Sequence, residues 1–247
     1  MRKVRVFVDA PLVAGAQVQL PPFAAEHLTR VLRLPDGAAL TCFNGDGRDY
    51  TAILSAQSRN RVLVRIGTAS ENPHESPLRI TLVQSIARGE RMDLILQKAT
   101  ELGVYRISPV VSERTEVKLD EDRAGRRLLH WQRVVQSACE QCGRARVPAV
   151  EAPQDLSRYL AAATPMPGLK LLLHPAGESA DAALPETCDE VLVAVGPEGG
   201  FSERDLDALQ LAGFLKLRLG PRILRTETAG LAALAVLQAR LGDLRKG

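Results

Sequence analysis

The sequence predicts a two-domain α/β protein, with a small β-barrel or sandwich at the front and a larger domain on a parallel sheet behind it. Three observations predict this. In the front third, residues 4–8, 39–43, 49–56 and 61–67 alternate or carry β-branched side chains, and turn clusters such as Asn44-Gly45-Asp46-Gly47 separate them. From Leu78 onward strand-like and helix-like runs alternate, as in βαβ units. Residues 169–173 and 191–195 are almost continuously apolar, as expected of central strands covered on both faces.

Each element follows from its local pattern. Residues 23–32 read as the clear helix of the front domain, stopped before Pro35-Asp36-Gly37. Glu71-Asn72-Pro73-His74-Glu75-Ser76-Pro77 combines two prolines with polar residues, as a linker does. The boundary therefore falls near residue 75, with domains at 1–73 and 77–247. Behind it, 78–86 reads as a strand, 90–102 as a helix closing on Gly103, 105–111 as a strand and 123–142 as a long amphipathic helix.

A chain of 247 residues, 45% hydrophobic and 25% charged, can bury a sizeable core. It shows no apolar run of about 18 residues, and Met1-Arg2-Lys3-Val4-Arg5 leads into a strand-like Val6-Phe7-Val8 without a signal-peptide core. The expectation is a cytoplasmic protein that does not engage a membrane. Four cysteines are too few for a disulfide framework, and Cys139-Glu140-Gln141-Cys142 has no second C-x-x-C or His pair to complete a metal site. They read as helix-packing residues, and no metal is expected. Residues 1–70 hold nine Lys or Arg against five acids, an excess of +4, so with a net charge of +3 the remainder sums to −1. That bias suits a phosphate-contacting surface.

Two turns hold the chemistry. Val195-Gly196-Pro197-Glu198-Gly199-Gly200-Phe201-Ser202 and Leu219-Gly220-Pro221-Arg222-Ile223-Leu224-Arg225-Thr226-Glu227-Thr228-Ala229 each follow a short apolar run that reads as a buried strand, and each ends where a helical pattern begins. Open α/β sheets bind ligands at such turns. Gly196, Gly199 and Gly200 let backbone N–H groups approach a polar or anionic guest, and Ser202-Glu203-Arg204-Asp205 fits a capping box. Neither G-x-G-x-x-G after a strand nor G-x-x-x-x-G-K-[ST] occurs, which disfavours a dinucleotide enzyme or P-loop NTPase.

Together, these two turns, Gln97-Lys98-Ala99-Thr100-Glu101-Leu102-Gly103 and Val31-Leu32-Arg33 resemble the RsmE family of SPOUT methyltransferases, which methylate N3 of a uridine in 16S ribosomal RNA. The resemblance runs from the front barrel to the last helix. It implies a PUA-like RNA-binding barrel, and behind it an α/β domain tied as a trefoil knot. It also implies a homodimer and S-adenosylmethionine bound in the knot. Three loops would form that pocket: Leu172-Leu173-His174-Pro175, then Gly196, Pro197, Glu198, Gly199 and Gly200, then a stretch with Leu219, Gly220, Ile223, Leu224, Arg225 and Thr228. Cys142 departs from the Ser of many relatives at a position with no carried-over function. The implied substrate is 16S rRNA within the assembled 30S subunit.

Methylating uracil N3 requires losing a weakly acidic proton while negative charge spreads onto O2 and O4. Arg225 is the candidate that orients the uracil and favours its anion, and Glu227 the candidate proton acceptor. His174 suits a backbone or adenine contact. Arg30, Arg33 and Arg48 are candidate phosphate contacts, and Arg114 a candidate for RNA or the partner subunit. Lys98 and Glu101, three apart on one helical face, read as an exposed pair. Three alternatives stay open: a SPOUT relative acting on another nucleotide or a ribose 2′-hydroxyl, a catalytically silent RNA-binding module, and a structural dimer.

Overall fold

The structure is a computed structural model that describes residues 4–58, 61–117, 121–163 and 166–245. Arg2, Lys3 and Arg59 of the basic front lie outside the described residues. The chain divides into two units, residues 1–75 with 136–147, and residues 76–135 with 148–247.

The first unit contains β1 (Arg5–Phe7), β2 (Gln17–Gln19), α1 (Pro22–Glu26), β3 (Ala39–Phe43), β4 (Arg48–Ser58) and β5 (Arg61–Glu71), with strand order β1-β3-β4-β5-β2. Alternation sets the faces: on β5, Val62, Val64 and Ile66 are buried while Arg61 and Arg65 are exposed. Buried side chains of Val6, Leu28, Cys42, Leu54, Val64 and Ile66 form the core. The stretch read as one helix is instead α1, started by Pro22, followed by a π-helical turn at His27–Val31. The wider turn ends at Arg33, whose φ of 52° is the one positive value among described non-glycine residues. It seats Leu28 in the core and leaves Phe23 and Val31 exposed.

Residues 136–147, which the sequence division placed in the second domain, pack with the first unit. Phe43, Cys139 and Ala145 share a buried cluster, and Arg144 donates to both oxygens of Glu75, from Nη2 to Oε2 at 2.8 Å and from Nε to Oε1 at 3.4 Å. Cys139 is thus a packing residue, and burial pushes its thiol up to about 12.

The second unit follows the βαβ rhythm: β6 (Arg79–Ser85), α2 (Glu90–Glu101), β7 (Arg106–Val111), α3 (Glu121–Cys142, of which residues up to 135 belong to this unit), β8 (Ala149–Val150), β9 (Gln154–Asp155), α4 (Leu156–Ala163), β10 (Leu169–Ser179), α5 (Ala180–Ala183), β11 (Glu190–Val195), α6 (Glu203–Leu211), β12 (Leu215–Arg218) and α7 (Thr226–Leu241). All neighbours in the order β12-β10-β11-β6-β7-β8 run parallel. β10 and β11 are central, as their apolar runs predict.

Two expectations change. The run before the second turn is an edge strand: among the described residues β12 pairs with β10 alone, burying Leu217 and leaving Leu215 55% exposed on the same face, while Lys216 and Arg218 occupy the other. Leu172-Leu173-His174-Pro175 is not a separate loop but part of β10, whose register against β12 shifts between Leu173 and Glu178. Gly177 permits the shift, since a Cβ there would lie 2.6 Å from the Lys216 carbonyl carbon.

Candidate active site

At the carboxyl ends of β10, β11 and β12 lies a cavity of about 570 Å³, in the position and size range of small-molecule sites in open α/β sheets. Leu173, His174 and Pro175 of β10 line one side. The turn from Gly196 to Phe201 lines the second, and residues 217–220 and 222–227 the third. The two motifs therefore meet in one concavity. Of the candidate cofactor contacts, Leu172 is wholly buried in the core one position short of the wall, and Thr228 is exposed outside the lining; all the others line it.

The glycine turn is held in place from several directions. A Cβ at Gly196 would stand 3.0 Å from Phe201 N and 3.2 Å from the Gly200 carbonyl carbon, so this position needs glycine. Gly200, at φ 69°, donates its N–H to Pro197 O at 2.8 Å. Ser202 and Asp205 close the expected capping box, and Asp205 Oδ2 also accepts from Glu113 N at 3.2 Å. Arg114 Nη1 donates to Gly199 O at 3.1 Å and Phe201 O at 3.3 Å, so this candidate RNA contact is part of the turn's support.

Below the turn runs a relay absent from the sequence reading. Gln84 Nε2 donates to Thr226 Oγ1 at 3.0 Å, and Thr226 Oγ1 donates to Gly196 O at 2.7 Å. It joins the end of β6, the start of α7 and the glycine turn. A polar Gln84 within the apolar run Leu82-Val83-Gln84-Ser85-Ile86 was the available signal, since a fully buried amide requires partners. Its Oε1 nonetheless lacks one among the described residues.

Two carboxylates face different surroundings. Glu198 Oε1 accepts from Arg88 N at 3.2 Å and Arg91 Nη1 at 3.1 Å. Burial opposes its ionisation, but these donors, its own N–H and the Arg91 charge outweigh that and hold its carboxyl below the usual range. Glu227 lies second in α7, its side chain 14% exposed; Arg91 Nε stands 4.0 Å from Oε1, while Oε2 is buried without a hydrogen-bond donor among the described residues. Arg225 precedes it as the N-cap of α7, exposed, with its carbonyl accepting from Thr228 N and Ala229 N at 2.9 and 2.8 Å.

His174 Nδ1 accepts from Ala176 N at 3.1 Å. Desolvation and the Lys216 charge lower its pKa, so the neutral imidazole faces the cavity at pH 7. In the first unit Arg30 pairs with Glu26 at 2.7 Å, Arg48 with Glu71 at 2.9 Å, and Arg33 is exposed. Lys98 and Glu101 form the expected pair at 2.8 Å. Among the described residues no group of three or more His, Cys, Asp or Glu is placed to hold a metal ion, and no helix is long and apolar enough to cross a membrane.

Two family profiles match the chain, an RNA methyltransferase domain over residues 74–238 and an RNA methyltransferase PUA domain over residues 24–67. Fold and cavity thus define an RNA methyltransferase with a PUA-like front domain. A putative methyltransferase from Legionella pneumophila, solved with the bound cofactor SAM, superposes with a TM-score of 0.93 at 40% identity, over 98% of this chain and 100% of that one. The ribosomal RNA small subunit methyltransferase E of Neisseria gonorrhoeae, bound to S-adenosyl methionine, gives 0.89 at 39% identity over 98% and 99%. The ribosomal RNA small subunit methyltransferase E of Buchnera aphidicola subsp. Schizaphis graminum is 31% identical over 240 residues, 97% of each chain. The chain belongs to this ribosomal RNA small subunit methyltransferase E family, as the motif resemblance implied.

Proposed function

We propose that the protein transfers a methyl group from S-adenosylmethionine to N3 of a uridine in 16S rRNA. The observation that carries this reading is the single cavity in which the glycine turn faces the Arg225–Glu227 segment. The residues fit the cofactor: the volume suits a nucleoside-sized ligand, Gly200 and Gly220 leave open space where a Cβ would stand, and neutral His174 adds no positive charge against a sulfonium. When bound, S-adenosylmethionine supplies an electrophilic methyl group on a sulfonium. The turn of Gly196 to Gly200, with His174, Leu219, Gly220, Ile223 and Leu224, would hold it.

The protein's own residues then manage the uracil. Arg225, exposed at the mouth with its backbone fixed by the first turn of α7, places a permanent cation against the O2 and O4 oxygens as N3 loses its proton. Glu227 accepts that proton. Its buried, unpartnered oxygen supports the assignment, because of the other carboxylates lining the cavity Glu198 already accepts from Arg88 and Arg91 and Glu203 is exposed to solvent.

The same reading extends to partners. Residues 1–73 would bind rRNA through Arg30, Arg33 and Arg48, and residues 77–247 would carry the transfer, acting on the 30S subunit in the cytoplasm. α7 supports a homodimer, since Leu231, Ala232, Ala235 and Val236 remain only half-buried on an apolar helix. The run from edge strand β12 to Thr226, bonded beside β6, supports threading as a knot. Mass spectrometry of rRNA from a deletion strain, with and without the gene restored, tests the reading. A uridine N3-methyl mark that disappears and returns is the expected outcome; loss of a ribose 2′-O-methyl or a mark on another nucleotide overturns it.

A further inference from the structure

We infer that Arg91 is a positioning residue for Glu227, coupling the proton acceptor to the glycine turn; the inference rests on the proposed role of Glu227. Arg91 lies in the first turn of α2, outside both motifs, yet its guanidinium lines the cavity between the two walls. Nη1 donates to Glu198 Oε1 at 3.1 Å, and Nε stands 4.0 Å from Glu227 Oε1. One planar cation therefore faces two carboxylates at once, and the consequences differ. Glu198 takes both the Arg91 and the Arg88 N–H on Oε1, within hydrogen-bonding distance. Glu227 is drawn by one oxygen only, and the other keeps its capacity to accept.

The arrangement draws the Glu227 carboxylate electrostatically toward the turn proposed to hold the cofactor. Without Arg91 the Glu227 side chain is free to change rotamer and its carboxylate to turn about its broad terminal torsion, and the reacting geometry is held for a smaller fraction of the time. A lysine keeps the charge but loses the fork that reaches both partners.

Arg91→Ala and Arg91→Lys are compared in the wild-type and Glu227→Gln backgrounds, by single-turnover methyl transfer to 30S subunits and calorimetric binding of S-adenosylmethionine. Arg91 is half-exposed, so both variants are expected to fold, and thermal melting verifies it. The expected result is a loss of about tenfold or more for Arg91→Ala, partial recovery for Arg91→Lys, cofactor affinity within about twofold, and no further loss when Arg91→Ala joins Glu227→Gln. Equal loss in both backgrounds, or weakened cofactor binding, overturns the inference and assigns Arg91 to the support of Glu198. Glu227→Gln at the wild-type rate overturns the proton-acceptor reading itself, and the inference with it.

Discussion

The two facing walls of the cavity are built on opposite principles. The Gly196–Phe201 turn is braced by Thr226, Arg114, the Glu198 clamp and a capping box, whereas no hydrogen bond joins Gly220–Leu224 to another described residue, and Ile223 is 86% exposed. A braced wall suits a ligand of constant shape. An unbraced one can close on that ligand and still reorder around a larger acceptor, with the ordering cost borne by the acceptor's own contacts. Arg225 marks where the loose stretch meets rigid helix.

The largest expected effect breaks the acceptor wall chemically. Arg225→Ala should lower single-turnover transfer by roughly two to three orders of magnitude, the scale of losing one preorganised charge-stabilising donor, with cofactor affinity little changed. A wild-type rate would make Arg225 structural. A defect that shrinks as pH rises would tie it to deprotonation.

Next, glycine substitutions grade the braced wall. Gly196→Ala forces a Cβ to 3.0 Å from Phe201 N and should reduce S-adenosylmethionine affinity by about a hundredfold or more, consistent with strain of about 3 kcal/mol. Gly199→Ala places its Cβ at an ordinary 3.7 Å from Arg114 and should change affinity by less than about threefold. Calorimetry showing equal losses would erase the distinction between the two positions.

Thr226→Val removes the donor to Gly196 O and the acceptor for Gln84. It should cost about 1–3 kcal/mol in urea unfolding, with weaker cofactor binding. Unchanged stability would show that the relay is replaceable by water.

The smallest effect concerns Glu198. Its depressed carboxyl pKa contributes stability at neutral pH that is lost as pH falls through the folded value, below the ordinary 4.5. The difference in melting temperature between wild type and Glu198→Gln should shrink from pH 7 to about pH 3. A difference constant across that range would count against the clamp.

Much of this was legible from local pattern. Alternation in residues 61–67 and apolarity in 191–195 gave the faces of β5 and β11, because burial on one or both faces leaves that signature. Gly-Pro-Glu-Gly-Gly and the run to Ala229 marked two walls of the cavity. Harder to read were groups whose role exists only in three dimensions: Gln84 and Thr226 are 142 positions apart, and Arg91 stands 107 and 136 positions from the carboxylates it faces. β12 misled because its leucines read as a buried run although Lys216 and Arg218 alternate with them, and the loop implied by the resemblance at 172–175 lies within β10, beside the shift of its register against β12. Three-residue β2 is too short to leave a period.

The Thr226 hydroxyl that fixes Gly196 follows every strand of the sheet in the chain. A polypeptide emerging from its N-terminus would therefore finish its sheet while the turn's carbonyl still lacked its donor. Competence to hold ligand would arrive late in synthesis, with the final helix, and a chain cut short before residue 226 would have the scaffold of an enzyme without a working pocket.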